Sequence, residues 1–256
     1  MSNKELGYYN KIKNWDFSMI KFEEENLTNW DMYEILNKYA DEKSIILDLG
    51  TGGGERVLKE FPKAKKIIGT DFSEEMIKTA KRNLEKSNKN NIEFRVMNNL
   101  NMDTEDNFFD IVVARHTCIS AKQIYKTLKN RGKLILRGVD KLDCWSLKRL
   151  FNKGQAFNDI KPISQIDYEN ILDAGFKNVE LVPIYIREYY KTKEDLLSLL
   201  LKTPILDDFS EERINLKLKN KEIDLKKLDL YIKDNTFDKG ILLRRRYYGI
   251  FAEKII

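Results

Sequence analysis

Apolar residues in this chain follow two rhythms, and their alternation predicts the order of elements. Trp30, Tyr33, Leu36 and Tyr39 recur at helical spacing and predict an amphipathic helix near the start. From Ser44 the pattern changes. Ile45-Ile46-Leu47 is a short apolar run ending in glycines, which reads as a buried strand. A short helix from Glu55 to Phe61, stopped at Pro62, and a strand at residues 66–71 follow. Ser73 is suited to cap the next helix, with Glu74 and Glu75 in its first turn and Met76, Ala80 and Leu84 along one face. Ile92, Phe94 and Val96 alternate with polar residues as a third strand, residues 110–114 form a fourth, and Leu134-Ile135-Leu136 a fifth after a helix around Ile124–Leu128.

Strands separated by helices at this spacing predict an α/β fold: a doubly wound, mostly parallel sheet covered on both faces. The last third differs. A helix ends at Ala174-Gly175, residues 179–186 read as a strand, residues 192–238 as a mainly helical insertion broken at Pro204, and residues 247–256 as the closing strand. The expected organisation is therefore an N-terminal helical cap (1–43) and one main domain (44–256) carrying the insertion (192–238).

Candidate chemistry concentrates at Asp48-Leu49-Gly50-Thr51-Gly52-Gly53-Gly54-Glu55, directly after the first buried strand. Glycines there permit positive φ and close approach of a ligand to the backbone. A phosphate-binding loop would continue with Gly-Lys-Ser/Thr, and Gly54-Glu55-Arg56 does not. A dinucleotide fingerprint would place a glycine or alanine where Glu55 stands, and a carboxylate there opposes a pyrophosphate. An adenosyl cofactor without phosphates fits. Asp71, ending the second strand, is placed to accept ribose hydroxyls, and Phe72 offers adenine a flat apolar surface.

With these residues in order, segment 45–137 resembles the core of the class I S-adenosylmethionine-dependent methyltransferases, in particular their ubiquinone-biosynthesis-like small-molecule branch and Firmicute-type members. Ile46-Leu47-Asp48-Leu49-Gly50-Thr51-Gly52 matches the family's first motif, Asp71 its acidic second-strand residue, Phe108-Phe109-Asp110-Ile111-Val112 its fourth-strand motif, and Leu128 to Leu134 its turn before the fifth strand. The resemblance implies a seven-stranded sheet with an antiparallel last strand. It also implies that Gly50, Thr51 and Gly52 contact the cofactor backbone, Asp48 helps hold its amino group, and Asp71, Phe72 and Met76 surround its nucleoside. Where the family delivers an aspartate to the adenine amino group, this chain has Met97-Asn98-Asn99; an asparagine oxygen can accept the same hydrogen bond.

The resemblance places Arg115 and His116 beside the cofactor. Arg115 counts among its expected contacts, with orientation of an acidic acceptor or a surface ion pair as other uses. His116, the sole histidine, is either a general base or a polar residue lining the pocket. Tyr8 and Tyr9 are candidates for a lid over the acceptor. The Leu196–Leu201 stretch packs the insertion onto the sheet or lines an apolar acceptor pocket.

Composition narrows the partners. Lys+Arg 46 against Asp+Glu 41 leaves a net charge of +5, a weak signal for nucleic acid at this length. Alternation along a strand turns Arg244 and Arg246 to one face and Arg245 to the other, which reads as a solvated edge. One histidine and two cysteines, Cys118 and Cys144, build no metal site and fit reduced thiols in the cytoplasm. No apolar run is long enough for a membrane span. The expected activity is methyl transfer from S-adenosylmethionine to an O or N atom of a small-molecule acceptor. The alternatives are an RNA methyltransferase, disfavoured because the fourth strand ends in Ala-Arg-His-Thr and not in a base-gripping Asn/Asp-Pro-Pro-aromatic motif, and a non-catalytic binder of the cofactor.

Overall fold

The computed structural model describes residues 19–206 and 221–256. Tyr8, Tyr9 and part of the insertion lie outside the described residues. The chain runs β1 (Phe22–Asn26), α1 (Met32–Tyr39), β2 (Ile45–Leu49), α2 (Glu55–Glu60), β3 (Lys66–Asp71), α3 (Glu74–Glu85), β4 (Ile92–Val96), β5 (Phe109–Arg115), α4 (Ala121–Thr127) and β6 (Leu128–Val139). It continues with α5 (Trp145–Phe151), α6 (Ile163–Asp173), β7 (Lys177–Tyr190), α7 (Lys193–Lys202), a 3₁₀ turn (Pro204–Leu206), α8 (Lys221–Asn235), β8 (Thr236–Phe237) and β9 (Gly240–Glu253).

Among the described residues all strands join one nine-stranded sheet in the order β1-β7-β9-β6-β5-β2-β3-β4, with β8 beside β9. Pairs among β2 to β6 are parallel, whereas β9 runs antiparallel to both β6 and β7. The expected count of seven is thus corrected to nine: β1 and β8 are additions to the series β4-β3-β2-β5-β6-β9-β7. The chain changes winding direction at β2, which pairs β3 on one side and β5 on the other, so a crevice opens at the carboxyl ends of these strands.

Alternating side chains feed two cores. Leu47, Leu49, Val112, Ala114, Leu134 and Leu136 face α4 and α6. Ile46, Ile67, Ile111, Val113 and Ile135 face α1, α2 and α3. The caps follow their sequence signals: Asp31 accepts from the Tyr33 and Glu34 amides at the start of α1, and Ser73 from the Met76 amide at the start of α3.

The segment before β2 is not wholly helical. Phe22–Asn26 pairs with β7, and Glu25 reaches Arg187 and Tyr189 across the pair. Three consecutive glutamates carry no period-2 signal; the partner strand supplies the pairing. Helix α1 forms where its apolar spacing predicts, and Trp30 just before it lies against β9 at Gly249. A Cβ on Gly249 would come within 2.5 Å of the Trp30 indole. Gly249→Ala is therefore expected to lift Trp30 off the sheet and cost about 1–3 kcal/mol. Thermal unfolding should show a midpoint several degrees lower, and an unchanged midpoint would mean that the indole finds another site.

The leucine stretch packs the insertion, as one of its two expected roles required: Leu196, Leu199 and Leu200 are buried with Leu147, Tyr190 and Leu243. The closing strand is longer than its sequence pattern indicates and lies between β6 and β7. Arg245 is accordingly 9% exposed rather than on a solvated edge. Cys118 is exposed and Cys144 buried, and no disulfide joins them. Among the described residues no helix is long and apolar enough to cross a membrane.

Candidate functional site

A cleft of about 1820 Å³ opens at the carboxyl ends of the central strands. Its first wall is the turn after β2. Gly50, Gly52 and Gly54 adopt φ of 77°, 57° and 78°, values that strain any side chain. Gly50 is constrained further, because a Cβ there would meet the Thr117 Cβ at 2.7 Å. Gly52 faces open space within 4 Å, so a ligand can approach its backbone.

Asp71 ties this turn to the next strand. Its Oδ2 accepts the Gly52 amide at 3.0 Å and its Oδ1 the Ser73 amide at 2.9 Å. Burial raises its pKa, against the lowering effect of the backbone amides of Ser73, Gly52 and Phe72. Phe72 is half-buried on the cleft wall, and Met76 is buried behind it. Asp48 lies deeper; burial pushes its pKa up to about 7, opposed by the nearby Thr51 hydroxyl and the Arg115 guanidinium.

The two asparagines after β4 have different environments. Asn98 turns its Oδ1 back to the Leu100 amide at 2.9 Å. Asn99 donates to Thr117 Oγ1 at 2.9 Å, which leaves its buried Oδ1 without a partner. A buried acceptor without a donor is costly, and a ligand amino group would satisfy it.

The second wall comes from β5, β6 and β9. Arg115 and Arg137 end equivalent positions of neighbouring parallel strands and are direct register partners. The Arg137 guanidinium lies 4.4 Å over the Tyr247 ring, and the His116 ring stacks on the same tyrosine at 5.2 Å, 8° from parallel. His116 has a left-handed backbone (φ 52°) and donates its amide to the Arg137 carbonyl. Its buried Nε2 has no partner. Burial, then Arg115 and Arg137, holds its pKa well below the ordinary imidazole value, so the ring is neutral at pH 7.

Of the residues expected at the cofactor, Gly50, Thr51, Gly52, Asp71, Phe72, Met76, Asn98, Asn99 and Arg115 line this cleft, whereas Asp48 is buried and does not line it. No role at this cleft for Arg137, Tyr247 or Thr117 follows from the sequence reading. A signal for Arg137 does exist: Leu134-Ile135-Leu136-Arg137 ends the fifth strand as Val112-Val113-Ala114-Arg115 ends the fourth.

This order of strands around a glycine turn and an acidic strand end defines a Rossmann-like methyltransferase fold. Residues 40–191 match a family model described as "Methyltransferase domain", and the chain belongs to that family. Over 111 residues it is 32% identical to a ribosomal protein L11 methyltransferase of Clostridium perfringens, covering 41% of this chain and 35% of that enzyme, so the chain matches only about a third of the curated relative's length. Among solved structures, a SAM-dependent methyltransferase from Aquifex aeolicus superposes with TM-score 0.53 at 14% identity, covering 98% of each chain. Phosphoethanolamine N-methyltransferase 2 of Haemonchus contortus, solved with S-adenosyl-L-methionine, gives TM-score 0.51 at 19% identity over 100% of this chain and 58% of that one.

Proposed function

We propose that this chain binds S-adenosylmethionine along the glycine turn and transfers its methyl group to an O or N atom of a small-molecule acceptor. The observation that carries this reading is one cleft containing both walls: open backbone at Gly52 with Asp71 and Asn99 on one side, and the His116–Tyr247–Arg137 corner on the other. Gly50 to Gly52 would hold the cofactor's backbone side, Asp71 its ribose, Phe72 and Met76 its adenine, Asn99 or Asn98 the adenine amino group, and Asp48 and Arg115 the amino-acid end. When bound, the cofactor supplies an already activated methyl group on a sulfonium. The chain's residues then have to align the acceptor and keep water out. Neutral His116 offers a lone pair or an N–H to a polar acceptor group, a positioning task at least.

The relative that methylates a ribosomal protein makes a protein acceptor the competing assignment. The first test is calorimetric titration with S-adenosylmethionine and with S-adenosylhomocysteine, followed by transfer of labelled methyl to small-molecule extracts and to ribosomal protein. Label only in protein would replace the acceptor class, and no cofactor binding by the folded chain would overturn the reading.

Asp48 makes the binding pH-dependent. The cofactor's ammonium favours ionised Asp48, while burial favours the proton up to about pH 7. Affinity is expected to rise with pH through that region, by up to about tenfold per unit below it, and to level off above. Titrations between pH 5.5 and 8.5 check this, and Asp48→Asn should flatten the profile while lowering affinity at pH 8.

A further inference from the structure

Arg115 and Arg137 are the least compensated charges in the cleft. They sit side by side in register on β5 and β6, adjacent strands separated by about 4.8 Å. Both face the same side of the sheet, as residues in phase with Ile111, Val113 and Ile135. Among the described residues neither has a carboxylate at salt-bridge distance, and the buried Nε of each lacks a hydrogen-bond partner. Other cationic side chains at the cleft are neutralised: Arg245 is bound by Asp143 and Glu188. Two adjacent guanidiniums, partly desolvated and without counter-ion, repel each other, and a fold keeps such a pair where a ligand brings the negative charge.

The cofactor cannot by its charge account for both. Its amino-acid end carries one carboxylate, which Arg115 would meet while Asp48, close enough to feel the Arg115 charge, would hold the ammonium beside it. Arg137 lies one strand further from the glycine turn. It is fixed over Tyr247, and its carbonyl holds His116, whose own Nε2 is unpartnered. This corner offers an immobilised planar fork of donors beside an unsatisfied imidazole, which is the arrangement that binds a carboxylate or phosphate through paired hydrogen bonds.

We propose that the methyl acceptor carries an oxyanion, a carboxylate or a phosphate, and that Arg137 is the residue that selects it. The proposal rests on the cofactor reading above, which places Arg115 with the cofactor. Tyr247 and His116 position the acceptor's reacting atom toward the glycine turn. Uncharged acceptors of similar shape are disfavoured because they would cover the half-buried guanidinium and leave it unpaired.

The experiment uses the full chain saturated with S-adenosylhomocysteine, titrated with benzoate, phenyl phosphate and, as the uncharged control, benzyl alcohol. The expected result is saturable binding of one of the anions, with the tighter one identifying carboxylate or phosphate, and no binding of the alcohol. Arg137→Met should weaken the anion at least tenfold and leave the S-adenosylhomocysteine Kd within about twofold. Arg137→Lys, which keeps the charge but loses the fork, should recover part of the loss, and both variants are checked by thermal unfolding. Equal binding of alcohol and anions, no anion binding, or a tenfold loss of S-adenosylhomocysteine in Arg137→Met would overturn the assignment. If wild type fails to bind S-adenosylhomocysteine, the cofactor reading falls on its own. Anion titration of the cofactor-free protein then decides the arginine separately: binding lost in Arg137→Met supports its role, and binding unchanged refutes it.

Discussion

Asp71→Ala is expected to weaken S-adenosylmethionine binding by about 100-fold while leaving the unfolding midpoint of the free protein unchanged or slightly higher. The size follows from the bonds lost. Each hydrogen bond from a ribose hydroxyl to an ionised carboxylate contributes about 1.5–3 kcal/mol, and losing two at the low end of that range costs roughly 3 kcal/mol, a little over two decades in Kd. The absence of a stability loss follows from the sign of the Asp71 shift. Burial raises its pKa in the fold, so the folded state prefers the protonated form relative to the unfolded chain. Ionisation therefore costs stability as pH rises above the ordinary carboxylate value, and the free protein carries that cost at neutral pH. Alanine removes the cost but also leaves the Gly52 and Ser73 amides to other partners, and the two changes oppose each other. Calorimetry and thermal unfolding on the same preparation separate the cases. A large loss of stability would make Asp71 a structural strut for the glycine turn, and unchanged affinity would remove it from the site.

Asp71 and the glycine turn were readable because their signals are local: a short apolar run, residues that tolerate positive φ, and a carboxylate ending the next apolar run. What escaped was set by topology. Phe22-Glu23-Glu24-Glu25-Asn26 has no strand pattern of its own and becomes one only because β7 leaves an edge beside it. Arg244-Arg245-Arg246 shows the alternation its sequence predicts, but whether a face is wet depends on which strands flank it. With β6 and β7 on either side, Arg245 points into the protein. The signal of Arg137 at the end of an apolar run is likewise local, but that Arg115 is its register partner follows only from the pairing of β5 with β6. The asparagine pair divides differently: its location was legible, but which oxygen remains unpaired depends on Thr117 and on the Leu100 amide.

The burial of Arg245 leads to the largest expected loss of stability. Its Nε and Nη2 donate to the two Asp143 oxygens at 3.0 and 3.1 Å, and its Nη1 to both Glu188 oxygens at 3.0 Å. Asp143 also accepts the Arg246 amide, and Glu188 accepts the Tyr190 hydroxyl. One cation thus compensates two buried carboxylates that join the β6–α5 connection, β7 and β9. Arg245→Met preserves much of the volume but strands both carboxylates, an expected cost of about 3–5 kcal/mol. At about 2–4 °C per kcal/mol for a chain of this size, the unfolding midpoint should fall by on the order of 10 °C. Adding Glu188→Gln removes one of the stranded charges and should recover part of the deficit. A midpoint within about 2–3 °C of wild type, or no recovery on adding Glu188→Gln, would show that water reaches the cluster and that the ion pairs contribute little. Arg245 also approaches the Tyr247 ring to 5.1 Å, the ring that carries His116 and Arg137. In folded variant at low temperature, anion binding should consequently weaken more than cofactor binding, because the glycine turn draws its support from β2 and β3 and not from β9.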